Sequence, residues 1–135
     1  MIRVIIVFFV AMFYIATKSD AAPYYVWNDP GGLVIERMIE IKKLQKSKKQ
    51  VRIMGKCMSA CTLYLTLDNI CRGPNAKFGF HNARGFNMEK SIKITYIMYK
   101  KYPPWVRKWI DSIGGLKMDI REMPPQYFKK YVRKC

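Results

Sequence analysis

Along the chain the spacing of apolar positions changes repeatedly, and each change marks an element. Tyr24-Tyr25-Val26-Trp27 is aromatic and β-branched, a strand pattern that stops at the dense turn signal Asn28-Asp29-Pro30-Gly31-Gly32. From Leu33 to Leu44 the apolar residues Val34, Met38 and Ile41 recur at helical spacing, with Ile35 and Leu44 widening the stripe. Glu36 and Glu40 precede Lys42, Lys43 and Lys46, the order a helix dipole favours. Val51-Arg52-Ile53-Met54 reads as a second strand ending at Gly55. Ser59 then opens a helical stretch through Leu63 and Leu67, and the turn Gly73-Pro74-Asn75 leads to a third strand, Lys77 to Phe80. Strand, helix, strand, helix, strand is the alternation of an α/β fold with a parallel sheet.

The second half is helical in pattern. Met88 to Tyr102 predicts a long helix, Pro103-Pro104 breaks it, and Trp105 to Ile113 resumes until Gly114-Gly115. Trp105 and Trp109 are read as core or oligomer contacts. The end, Met118 to Cys135, carries a second proline pair and a basic, aromatic tail.

The first residues have a different logic. Met1-Ile2-Arg3 is short and basic, and the apolar run Val4–Ala16 falls short of the roughly 20 residues that span a bilayer. With Ser19 and Ala21 at small-residue positions, this predicts a signal peptide, residues 1–21, cleaved after Ala21 or alternatively after Ala22. An uncleaved anchor is the other reading. Residues 22–135 then form one exported domain, periplasmic or secreted.

Export changes the meaning of the four cysteines. Cys57, Cys61, Cys71 and Cys135 form an even set that an oxidising compartment would pair. Their spacing makes no zinc site, and no metal or cofactor is expected. Of the three connectivities, Cys61–Cys71 with Cys57–Cys135 is favoured, with free buried thiols as the alternative.

The chain of 135 residues holds 25 Lys+Arg against 9 Asp+Glu, a formal charge of +16, while half of it is hydrophobic. The hydrophobic content excludes disorder as a description of the whole. The charge predicts attraction to anionic surfaces, the cell envelope among them, at low salt. The basic tail Lys129–Lys134 suits such contact, whereas no groove-reading motif for nucleic acid is present.

Ligand sites of open α/β sheets form at the carboxyl ends of strands. In this reading the strands end at Gly31-Gly32, at Gly55–Cys61 and at Phe80-His81. That gathers a glycine pair, a serine before a helix and the single histidine at one edge. A serine nucleophile needs a base and backbone N–H groups for its oxyanion, and glycine turns and helix starts provide such groups. Each piece alone has a plainer role, as a helix cap, a turn or a buried histidine.

At these residues the chain resembles a known family. Asn28–Gly32, then Gly55-Lys56-Cys57-Met58-Ser59-Ala60-Cys61, then Phe78-Gly79-Phe80-His81-Asn82-Ala83 are similar to the ClpP/crotonase fold, closest to the ClpP serine peptidases. Ser59–Thr62 and Tyr102–Pro104 resemble the small exported ClpP-like proteins of bacteria. The resemblance implies Ser59 as nucleophile and His81 as general base. It also implies an oxyanion hole around Gly31, Gly32 and Ala60, and a peptide substrate lying extended along Gly31-Gly32. A third, acidic member would follow the long helix, with Asp119 nearest and Asp111 the alternative. An exported protein meets no cytoplasmic ATPase, so short or unfolded peptides are the expected substrates. The long helix is the family's oligomer contact, which makes a homo-oligomer an option here. Against this enzyme stands a second reading, a non-catalytic, disulfide-braced basic scaffold that binds the envelope or a protein partner.

Overall fold

The computed structural model describes residues 21–85 and 87–135; of the expected signal peptide, all but Ala21 lies outside the described residues. The expected alternation forms at its start. Strand β1 (Tyr24–Asp29) leads into helix α1 (Val34–Ser47), then β2 (Val51–Met58), then a 3₁₀ segment (Ser59–Thr66). Strands β3 (Ile70–Arg72) and β4 (Lys77–Phe80) follow, then α2 (Met88–Lys101) and α3 (Pro104–Ser112). A two-residue strand β5 (Arg121–Glu122) and a short helix α4 (Pro125–Phe128) complete the order.

The sheet runs β1-β2-β4-β5, with β3 also paired to β2. Strands β1, β3 and β4 are all parallel to β2, and β5 is antiparallel to β4. The protein is therefore α/β with a mostly parallel sheet. Because β1 occupies one edge of β2, β3 and β4 share the other. β3 pairs with Val51–Ile53 and β4 with Lys56–Met58. The turn at Gly73-Pro74-Asn75 separates what is in effect one interrupted strand.

Several sequence expectations shift. Strand β2 continues past Gly55 to Met58, because the glycine serves the sheet. Register slips between Val26 and Asn28, and a Cβ on Gly55 would sit 1.8 Å from the Trp27 carbonyl oxygen. Glycine here permits a bulge against β1 and does not end the strand. The stretch after Ser59 is a 3₁₀ helix, buried from Ser59 to Leu65. Helix α1 buries Val34, Ile41 and Leu44, but Ile35 lies on its outer side, 50% exposed. The first proline pair ends α2 and, with Pro104 at the first helical position, starts α3.

The core fills the space between sheet and helices. Val51, Ile53 and Phe78 are fully buried, and Phe80 packs on Tyr102 and Trp109 at ring distances of 5.5 and 5.2 Å. Trp105 stacks on Tyr131 at 4.6 Å, so both tryptophans pack within the domain.

The disulfides differ from the favoured pairing. Cys57 bonds Cys61, and Cys71 bonds Cys135. The 3₁₀ turn brings Cys61 back to within 5.2 Å (Cα–Cα) of Cys57. The C-terminal residues meanwhile align beside β3, where Arg72 N–H donates to the Arg133 carbonyl and Cys135 N–H to the Arg72 carbonyl, each at 2.9 Å. Among the described residues no cysteine is free. Bonded pairs are the state that persists in an oxidising, extracytoplasmic compartment. No helix among the described residues is long and apolar enough to cross a membrane.

Candidate active site

Parallel pairing brings the strand ends to one edge, as expected. Met58 pairs with Gly79, so Ser59 lies one residue and His81 two residues beyond the last paired position of adjacent strands.

Ser59 has φ +54°, in the left-handed region that L-residues other than Asn, Asp and His seldom occupy. It sits at the sharp junction between β2 and the buried 3₁₀ segment, and is itself 9% exposed. Two devices hold this turn. The Cys57–Cys61 bridge brackets it. Behind it, Tyr102 O–H donates to Thr62 Oγ1, and Thr62 Oγ1 donates to the Ser59 carbonyl, both at 2.6 Å. Thr62 has a single proton and the carbonyl can only accept, which fixes the direction of this relay. Tyr102 is buried, and burial pushes its phenol well above the ordinary value, so it stays a donor. The Ser-Ala-Cys-Thr and Tyr-Pro-Pro motifs are thus in direct contact.

The glycine pair lies against the same turn. Gly31 and Gly32 have φ of +121° and +102°. A Cβ on Gly31 would fall 2.8 Å from Ser59 Cβ and 3.1 Å from the Met58 carbonyl oxygen, so only glycine fits. Gly31 N–H donates to Asp29 Oδ1 at 2.8 Å, which removes it from the expected oxyanion donors. Gly31 contributes its conformation. Gly32 N–H has no acceptor among the described residues, and Ala60 N–H lies in the first turn of the 3₁₀ segment, where intrahelical acceptors are missing.

Sequence reasoning missed Arg37. Its side chain, 11% exposed, reaches from the first turn of α1 to Asp29 Oδ2 at 2.6 Å, the Gly31 carbonyl at 2.9 Å and Glu40 Oε2 at 2.8 Å. It also donates to the Tyr64 hydroxyl and lies over that ring, 4.7 Å from its centroid. Burial opposes the guanidinium charge, but Tyr64, Asp29 and Glu40 outweigh it and hold Arg37 more firmly protonated than usual. An arginine on a mostly polar helix face gives no signal of this in sequence.

His81 follows β4 and is 9% exposed. Its Nδ1 lies 2.5 Å from the Asn82 carbonyl oxygen, a contact that needs a proton between them. Nδ1 therefore carries the hydrogen and Nε2 is left as an acceptor. Arg84 Nε, 3.3 Å from the same nitrogen, then acts as a nearby charge and not as a donor. Burial, aided by Arg84 and opposed by the Asn82 bond, holds the imidazole pKa below its ordinary value. The neutral ring is the form a general base requires.

The arrangement is not a complete triad. No hydrogen bond joins Ser59 to His81 among the described residues, and neither acid reaches the histidine by one. Asp119 pairs with Arg121 at 2.6 Å on the exposed approach to β5. Asp111 accepts from the Tyr99 hydroxyl at 2.8 and 2.9 Å. What holds the histidine is its own chain: Asn82 N–H donates to the Lys117 carbonyl and Ala83 N–H to Thr95 Oγ1, each at 2.8 Å. Beyond Asn82 opens a largely apolar groove of about 750 Å³, between Ala83–Gly85, the exposed face of α2 and Gly115–Met118. Neither Ser59 nor His81 lines it. Among the described residues no cluster of His, Cys, Asp and Glu is arranged to hold a metal.

Compared with known proteins, the chain matches no family model, and no curated protein matches it.

Proposed function

We propose that the protein is an exported serine hydrolase of ClpP-like type that acts on short or unfolded peptides. Ser59 is the nucleophile, His81 its base through Nε2, and Gly32 and Ala60 the oxyanion donors. The observation that carries this reading is the left-handed Ser59. A non-glycine residue at a strained strand-to-helix turn persists only where the surrounding structure imposes it, and such turns lift a nucleophile out of the backbone for attack. The tautomer of His81 supports the same role. Substrate lies extended along Gly31-Gly32, and removal of residues 1–21 on export completes the reading.

A second reading has its own observation. Among the described residues no carboxylate is bonded to His81, and losing that member costs about four orders of magnitude in a well-studied triad. On this reading the same fold is a basic scaffold for the anionic envelope or a protein partner, whose binding weakens with salt and survives loss of Ser59.

Labelling of the oxidised protein with a fluorophosphonate separates the two. The probe reacts quickly only with a serine activated by a base and an oxyanion hole. Labelling that disappears in Ser59→Ala and His81→Ala supports the hydrolase. A folded, unlabelled protein refutes it and favours the scaffold.

A further inference from the structure

The guanidinium of Arg37 grips both sides of the glycine turn. One nitrogen, Nη2, donates to Asp29 Oδ2 and to the Gly31 carbonyl, while Asp29 Oδ1 takes the Gly31 N–H. The peptide joining Gly31 to Gly32 is trans, as is every described peptide bond. In a trans peptide the C=O and the N–H point in opposite directions. Fixing the Gly31 carbonyl on Arg37 therefore aims the Gly32 N–H away from Arg37. The cation at the oxygen end also draws electron density from the amide and makes that N–H a stronger donor.

We propose that Arg37 is a positioning residue for the oxyanion hole, which orients and polarises the Gly31–Gly32 peptide so that Gly32 N–H receives the developing negative charge. This rests on the serine-hydrolase reading. Arg37 touches no substrate and acts through the peptide alone. Glu40 and Tyr64 hold the guanidinium in place, and Tyr24 O–H donates to Glu40 Oε1 at 2.6 Å to brace it in turn. Two glycines in left-handed conformations would otherwise be free to rotate the peptide between them. The arginine removes that freedom.

The experiment combines fluorophosphonate labelling rates with the amide resonance of Gly32 in ¹⁵N-labelled protein, for the wild type, Arg37→Gln and Arg37→Lys. Removing one oxyanion donor outright costs roughly a hundred- to a thousand-fold in rate. Misorienting it in Arg37→Gln is expected to cost about ten- to a hundred-fold in the maximal labelling rate, with half-saturation unchanged. The Gly32 amide proton moves upfield. Arg37→Lys, which keeps the charge but places its donors on a single nitrogen, recovers part of both effects. Arg37→Gln labelling at the wild-type rate overturns the proposal while leaving the hydrolase intact. So does a slowed variant whose Gly32 amide has not moved. A wild type that fails to label refutes the hydrolase reading and takes this proposal with it. Should Arg37→Gln not fold, Arg37→Lys decides alone, and a displaced Gly32 amide with an unchanged rate overturns the idea.

Discussion

The relay behind Ser59 can be tested by a double-mutant cycle of Thr62→Val and Tyr102→Phe. Thr62 is wholly buried and Tyr102 1% exposed, so neither hydroxyl can turn to water when its partner is lost. Tyr102→Phe leaves the Thr62 oxygen without its donor, at a cost of about 1–2 kcal/mol. Thr62→Val is nearly isosteric but strands the Tyr102 O–H and takes the side-chain donor from the Ser59 carbonyl, which keeps the Thr62 N–H of the 3₁₀ turn; it should cost about 2 kcal/mol. In the double variant the tyrosine orphan no longer exists. Only the side-chain bond to the Ser59 carbonyl is missing, for a total of about 1 kcal/mol. The double variant therefore loses about 2–3 kcal/mol less than the sum of the singles. Urea unfolding of the oxidised proteins measures all four corners. Additivity within about 0.5 kcal/mol would show that the bonds do not form a relay. The same variants should label more slowly than their stabilities explain, because the Ser59 turn loses its rear support.

Three further outcomes follow from the same geometry. Ser59→Gly should abolish labelling yet raise stability by about 0.5 kcal/mol, since relief of a left-handed residue (roughly 1–2 kcal/mol) exceeds the extra freedom glycine has when unfolded; a lower melting temperature would show that the turn is unstrained. Replacing Cys71 and Cys135 together by serine should cost about 4 kcal/mol, against about 2 kcal/mol for Cys57 with Cys61, because the bridges span 64 and 4 residues. Equal losses in calorimetry would contradict the loop-entropy account. His81 has its folded pKa depressed by burial, so below its ordinary value of about 6.5 the unfolded chain takes up a proton that the folded ring resists. Stability then falls as pH drops through that window and levels off below the folded pKa. His81→Gln should remove that slope, and an unchanged slope would assign it to other groups.

The strand and helix pattern of the first half was readable because each element there is long enough to show its period. Val26, Val51 and Ile53 alternate with exposed or half-exposed neighbours, and Val34, Ile41 and Leu44 mark one side of α1. β3, β5 and α4 span three, two and four residues, too few to show any period, and form because partners are already in place. Gly55 shows the ambiguity of a single residue, as glycine can end a strand or admit a bulge, and only the Trp27 carbonyl beside it decides.

The candidate site divides along the same line. Parallel order follows from the alternation of elements, so the glycine pair, Ser59 and His81 were bound to share an edge once the strands paired. The left-handed φ of Ser59, the engagement of Gly31 N–H by Asp29, the tautomer of His81 and the grip of Arg37 were all invisible in the chain. The separation of Asp111 and Asp119 from the histidine was equally hidden. Each of these depends on distances between residues far apart in sequence, or on a backbone angle that packing imposes. Local pattern sets which elements form and in what order. Directional contacts such as hydrogen bonds, ion pairs and disulfides are decided only when those elements close on one another, because an error of an ångström breaks them while leaving the hydrophobic pattern untouched.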